Sequence, residues 1–84
     1  MIAMKKDLKD AIKVLSSLEE DLTVPKNVRD GVKEVIGILK EKKKDTSLKV
    51  NKALHILEEV SSDMNMEPYT RTQLMNVVSL LEKL

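Results

Sequence analysis

The side chains best suited to chemistry in this sequence are Arg29 and Arg71, each of which follows an aspartate, Asp21 or Asp63, by eight residues. Both pairs recur at a spacing of 42 residues, half of the 84-residue chain, and every other cation is lysine. A guanidinium is a planar fork that pairs bidentately with a carboxylate or phosphate, where lysine is only a point charge. The pattern therefore supports two chemistries. One is an Asp–Arg clamp, Asp21 with Arg29 and Asp63 with Arg71, that locks a hinge between helices. The other is a pair of symmetric sites for a phosphorylated ligand or for a partner's carboxylates. The clamp is favoured, because a partly buried partner explains arginine in place of lysine.

The remaining titratable residues are dispersed. His55 is the single histidine and falls on Lys13 at the same spacing, which predicts a solvated position. A structural metal site needs about four ligands, and one histidine without cysteine does not supply them. Glu19-Glu20 and Glu58-Glu59 are neighbours, and adjacent helical side chains diverge by about 100°, so neither pair presents two carboxylates to one substrate. No Gly-rich phosphate loop and no nucleophile motif occurs. The sequence predicts no catalytic residues, no metal and no cofactor, hence not an enzyme. Lys40, Lys42, Lys43 and Lys44 form the one basic cluster. At a helix C-terminus lysines complement the macrodipole; the alternative is contact with a nucleic-acid backbone, helped by Lys5, Lys6 and Lys9. Tyr69 stands alone, so stacking residues do not accompany it.

Composition narrows the class. The chain is 42% hydrophobic and 35% charged, with one Tyr, no Phe and no Trp. That balance suits one small globular domain with an aliphatic core and argues against disorder. A net charge of +1 is too even for a protein that binds nucleic acid by bulk electrostatics. There is no cysteine, and no apolar run approaches the roughly 20 residues that span a bilayer. Met1–Met4 is too short for a signal h-region. A soluble cytoplasmic protein without membrane contact is expected.

Four helices must position these residues. Met4, Leu8, Ala11, Ile12, Leu15, Leu18 and Leu22 recur at steps of three and four, predicting a helix over 4–21. Val28, Val32, Val35, Ile36 and Leu39 define a second over 24–43, with Thr23 as N-cap and Pro25 in the first turn. Gly31 and Gly37 each cost this helix about 1 kcal/mol of propensity relative to Ala. The third follows the capping residues Asp45-Thr46-Ser47, carries Leu48, Val50, Ala53, Leu54, Leu57 and Val60, and ends at Ser61–Asp63. The fourth follows Asn65 as cap, with Pro68 in its first turn, and carries Leu74, Val77, Val78, Leu81 and Leu84. No stretch alternates with the period of a strand.

Laid over itself at 42 residues, the chain matches at nearly every apolar position, including Ala11 on Ala53, Leu15 on Leu57, Val35 on Val77 and Leu39 on Leu81. The unit is a helical hairpin, 1–42 and then 43–84, with a HEAT-like length and flavour. Two such hairpins are too few for an open solenoid, so they are expected to close face to face as an all-α four-helix bundle.

The run Leu18-Glu19-Glu20-Asp21-Leu22-Thr23-Val24-Pro25-Lys26-Asn27-Val28-Arg29, the later Ala53-Leu54-His55-Ile56-Leu57-Glu58-Glu59-Val60-Ser61-Ser62-Asp63 and the chain length resemble uncharacterised protein family 0147. The resemblance covers almost the whole chain. It implies a bromodomain-like four-helix bundle and an archaeal source, and it brings no catalytic residues. Gly31, where a better helix former is expected, and the basic run Lys42-Lys43-Lys44 depart from the family pattern.

Apolar residues exceed what one inward stripe needs. Val14, Ile38, Ile56 and Leu80 lie off the main faces, and Met64, Met66, Met75 and Tyr69 gather near the second hinge and last helix. Some must widen the core; the rest can form a contact surface. The sequence therefore points to a non-catalytic protein–protein interaction module, whose partner is an unidentified protein or a second copy. A nucleic-acid accessory factor using Lys40–Lys44 is the alternative.

Overall fold

A computed structural model of the chain describes residues 2–41, 45–63 and 66–84, with side chains from residue 6 onward. Four helices follow one another: α1 Ile2–Glu20, α2 Lys26–Lys40, α3 Thr46–Ser61 and α4 Pro68–Glu82. α1 packs on α2 and α4, and α3 completes the ring against the same two helices. The result is an all-α four-helix bundle whose stripes all face inward. Its core is aliphatic: Ala11, Leu15 and Leu18 from α1, Val28, Val32, Val35, Ile36 and Leu39 from α2, Ala53 and Leu57 from α3, and Leu74, Val77 and Leu81 from α4.

The helix boundaries depart from the sequence expectation where local chemistry intervenes. α2 begins at Lys26, not Val24, because Pro25 sterically disfavours the helical conformation in the residue before it. Pro25 accordingly stands at the cap position rather than inside the first turn. Thr23 is no N-cap. Its backbone N–H and its hydroxyl both donate to Asp21 Oδ1, at 2.9 and 2.7 Å, which makes Asp21 the organiser of an Asx-type turn. Glu67, with no side-chain capping bond, precedes Pro68 at the start of α4; the expected cap Asn65 lies outside the described residues. Asp45 occupies the cap position of α3 without a side-chain capping bond.

Two apolar residues assigned to inward stripes face water instead. Leu22 is 82% exposed and Leu48 55% exposed. Leu22 follows the end of α1, where the turn at Asp21 ends the helical period, and Leu48 lies in the first turn of α3. The place of Leu22 is taken by residues of the hinges themselves: Val24 and Met66, which are 42 residues apart, are both buried at the hinge end of the core.

Gly31 and Gly37 are both helical, but only one is required. A Cβ at Gly31 would stand 2.5 Å from Val60 Cγ1, so α2 and α3 approach too closely there for a side chain. A Cβ at Gly37 would meet nothing within 4 Å. The unexpected Gly31 is thus a packing requirement, which outweighs its propensity cost.

Candidate functional site

Both hinges lie at one end of the bundle, opposite the α2–α3 connection. They are joined directly: Asn27 Nδ2 donates to Asp63 Oδ2 at 2.6 Å. The two arginines bind their own hinges, and the acceptors seen for them are main-chain carbonyls where the sequence suggested carboxylates. Arg29 Nε donates to the Val24 carbonyl at 3.0 Å. Arg71 donates from Nη1 to the Ser61 carbonyl at 2.9 Å and from Nη2 to the Asp63 carbonyl at 3.2 Å. The reason is geometric. The last carbonyls of a helix lack intrahelical donors, and those at the end of α3 lie within reach of Arg71. Asp21 Oδ1 is already committed to Thr23. Hydrogen bonds from the Thr23 hydroxyl and backbone N–H hold the Asp21 carboxyl below its ordinary value, with a smaller contribution from the Arg29 charge.

Four residues of the apolar surplus fall into two separate grooves, and Leu80 and Met75 line neither. Val14, with Leu18 beneath it, Tyr69 and Gln73 line one between α1 and α4, of about 250 Å³. Its rim holds Lys13, Ser17 and Asp21, and Gln73 Nε2 donates to the Tyr69 hydroxyl at 2.8 Å. Ile38 and Ile56 meet in the other, on the α2/α3 face, about 560 Å³ in volume and bounded by Glu34, Asn51, Lys52 and His55. Val14, Ile56 and Leu80 are half-buried against the core, and Ile38 is half-buried in the groove. The first three therefore serve the fold with one side and present the other to solvent. Tyr69 and Met75 are exposed, at 65% and 54%, while Met66 belongs to the core.

The α2/α3 groove is built by the register of two antiparallel helices. Gly31 sits against Val60 and Ile56, and at the other end Lys49 Nζ donates to the Glu41 carbonyl at 2.7 Å. These contacts place Glu34 level with Ile56, and Ile38, one turn on, level with Lys52. Sequence inspection singles out the isoleucines by their off-stripe positions. It misses Glu34 and Lys52, ordinary surface charges until the register sets them beside an apolar floor. Asn27 is missed for the same reason, since its partner Asp63 is 36 residues away.

Other candidate residues are not brought together. His55 is exposed, with Nε2 3.5 Å from Glu59 Oε1, a surface pair of the kind worth only a few tenths of a kcal/mol. Among the described residues no group of three or more His, Asp or Glu side chains could hold a metal ion, and no helix is long and apolar enough to cross a membrane. Lys40 is exposed in the last turn of α2; Lys42, Lys43 and Lys44 lie outside the described residues.

Comparison with known proteins agrees with this architecture. A protein of Sulfurisphaera tokodaii is 37% identical over 75 residues, covering 89% of this chain and 84% of that protein. One of Pyrococcus furiosus is 33% identical over 85 residues, covering 100% of this chain and 91% of that protein. Both carry the family designation and both organisms are archaea. A crystal structure of a family protein from Thermoplasma acidophilum superposes with a TM-score of 0.95 at 28% identity, covering 99% of this chain and 98% of the other. These matches lend no support to a HEAT-like relation. The model of Uncharacterised protein family (UPF0147) matches residues 1–84, and the chain belongs to that family.

Proposed function

We propose that this chain is a non-catalytic, cytoplasmic helical module that works by protein–protein contact along its α2/α3 face. The observation that carries the reading is the meeting of Ile38 and Ile56, two off-stripe residues from different helices, in one open groove. An apolar floor framed by a few polar groups is the anatomy of a contact site. The surrounding residues offer no arrangement of nucleophile, base and orienting group. The two hairpins are read as a duplication, since α2 and α4 begin and end 42 residues apart, at Lys26 and Pro68 and at Lys40 and Glu82.

The nucleic-acid alternative is less well supported. Lys40 lies at the connection end of the bundle and Tyr69 at the hinge end, so this lysine of the basic cluster and the aromatic ring do not share a surface. The contact reading is tested by placing a photo-crosslinking amino acid at position 38 or, separately, at position 14. Polypeptide adducts should form at position 38 in preference to position 14. Equal labelling, or none at position 38, contradicts the assignment.

A further inference from the structure

We infer that the occupant of the α2/α3 groove is a second copy of this chain, docked about a two-fold axis that runs along the Ile38–Ile56 diagonal. The inference rests on the contact-module reading above and names its partner.

The argument is one of self-complementarity. Glu34 and Ile38 are one turn apart on α2, and Ile56 and Lys52 are one turn apart on α3, all four on the groove. The register makes them a four-cornered patch with the isoleucines on one diagonal and the opposite charges on the other. A two-fold interface brings the same patch to itself, so each contact occurs twice. An axis parallel to the helices would set Glu34 over Ile56 and Lys52 over Ile38 of the second copy. An axis across them would set Glu34 over Ile38. Both place charge on apolar surface, which costs free energy. An axis along the isoleucine diagonal stacks Ile38 on Ile38 and Ile56 on Ile56. It also brings Glu34 of each copy over Lys52 of the other, giving two symmetric opposite-charge pairs at a steep helix crossing.

Exposure permits this. Glu34, Lys52 and His55 are exposed and the isoleucines half-buried. The open space around Gly37, next to Ile38, lets a second chain approach. Lys52 already takes part in a polar interaction within its own chain, so its pairing with Glu34 of the second copy is additional. The bundle is about 20 Å across, and a 15-residue helix is about 22 Å long. The face therefore offers roughly 400–600 Å² per copy, the low end for specific association. Weak, reversible and salt-sensitive dimerisation follows, detectable at roughly 0.1–1 mM protein.

Sedimentation equilibrium on the full chain tests this with Glu34→Lys, Lys52→Glu and an equimolar mixture of the two. Each variant alone opposes like charges at both pairs and should associate about tenfold more weakly than the unchanged chain. The mixture restores both opposite-charge pairs and should recover the lost association. Glu34→Gln mixed with Lys52→Gln restores only one of the two pairs and should recover only part of the lost association, and circular dichroism checks that every variant is folded. A strictly monomeric unchanged chain at these concentrations, or a mixture no better than its components, overturns the inference. If that happens while position 38 still crosslinks to a different polypeptide, only the second copy is lost. If position 38 crosslinks to nothing, the contact reading fails with it.

Discussion

Gly31 and Gly37 are the same residue type, six positions apart on α2, and the fold asks opposite things of them. Replacing Gly31 with Ala pushes a methyl against Val60 Cγ1, and overpacking of this kind costs about 1–3 kcal/mol. Replacing Gly37 with Ala adds a methyl to open space and should stabilise by about 0.5–1 kcal/mol through helix propensity and the unfolded chain. Urea unfolding of the two variants should move the midpoint in opposite directions. Asp21 gives a pH signature. Its carboxyl is held below the ordinary 3.8 by Thr23, so the folded state binds its proton less readily than the unfolded chain does. Its contribution is fully present above the ordinary value and is lost as pH falls through the depressed one. Asp21→Asn keeps an acceptor for Thr23 but cannot titrate. Below about pH 4 it should lose less stability than the unchanged chain in an acid unfolding titration.

At the scale of elements, the hinges hold the bundle together by main-chain acceptors and buried plugs. Arg71→Lys loses the two-nitrogen fork that reaches the Ser61 and Asp63 carbonyls and should cost about 0.5–1.5 kcal/mol, the range of one ordinary hydrogen bond. Met66→Ala opens a void at the hinge end of the core and should cost about 2–5 kcal/mol, measured by thermal or urea unfolding. Helical periodicity in Ala11, Leu15 and Leu18, and in Val28, Val32, Val35 and Leu39, made the helices and most of the core legible in the sequence. The hinges were less legible. Thr23 looks like a cap by type, yet whether its hydroxyl accepts or donates depends on where Asp21 Oδ1 lies. Val24 reads as helix and Met66 as either core or contact surface, because nothing local distinguishes a residue that turns inward outside a helix.

For the whole molecule, closing two hairpins into a ring buries the four stripes and leaves Val14 and Tyr69 in one groove and Ile38 and Ile56 in another, on different pairs of helices. The surplus at Val14, Ile38, Ile56 and Leu80 was visible in the sequence. Its division was not, since which of them share a groove depends on the antiparallel register that Gly31 and Lys49 set between α2 and α3. Glu34 and Lys52 acquire meaning only once that register is known. The central claim is that the chain pairs with a second copy through the α2/α3 groove and not through the α1/α4 groove. A dilution series followed by amide proton–nitrogen correlation spectra tests it directly. Concentration-dependent shifts should be confined to Glu34, Gly37, Ile38, Lys52, His55 and Ile56 and should shrink with added salt. Shifts centred instead on Val14, Tyr69 and Gln73, or none at any concentration, would contradict it.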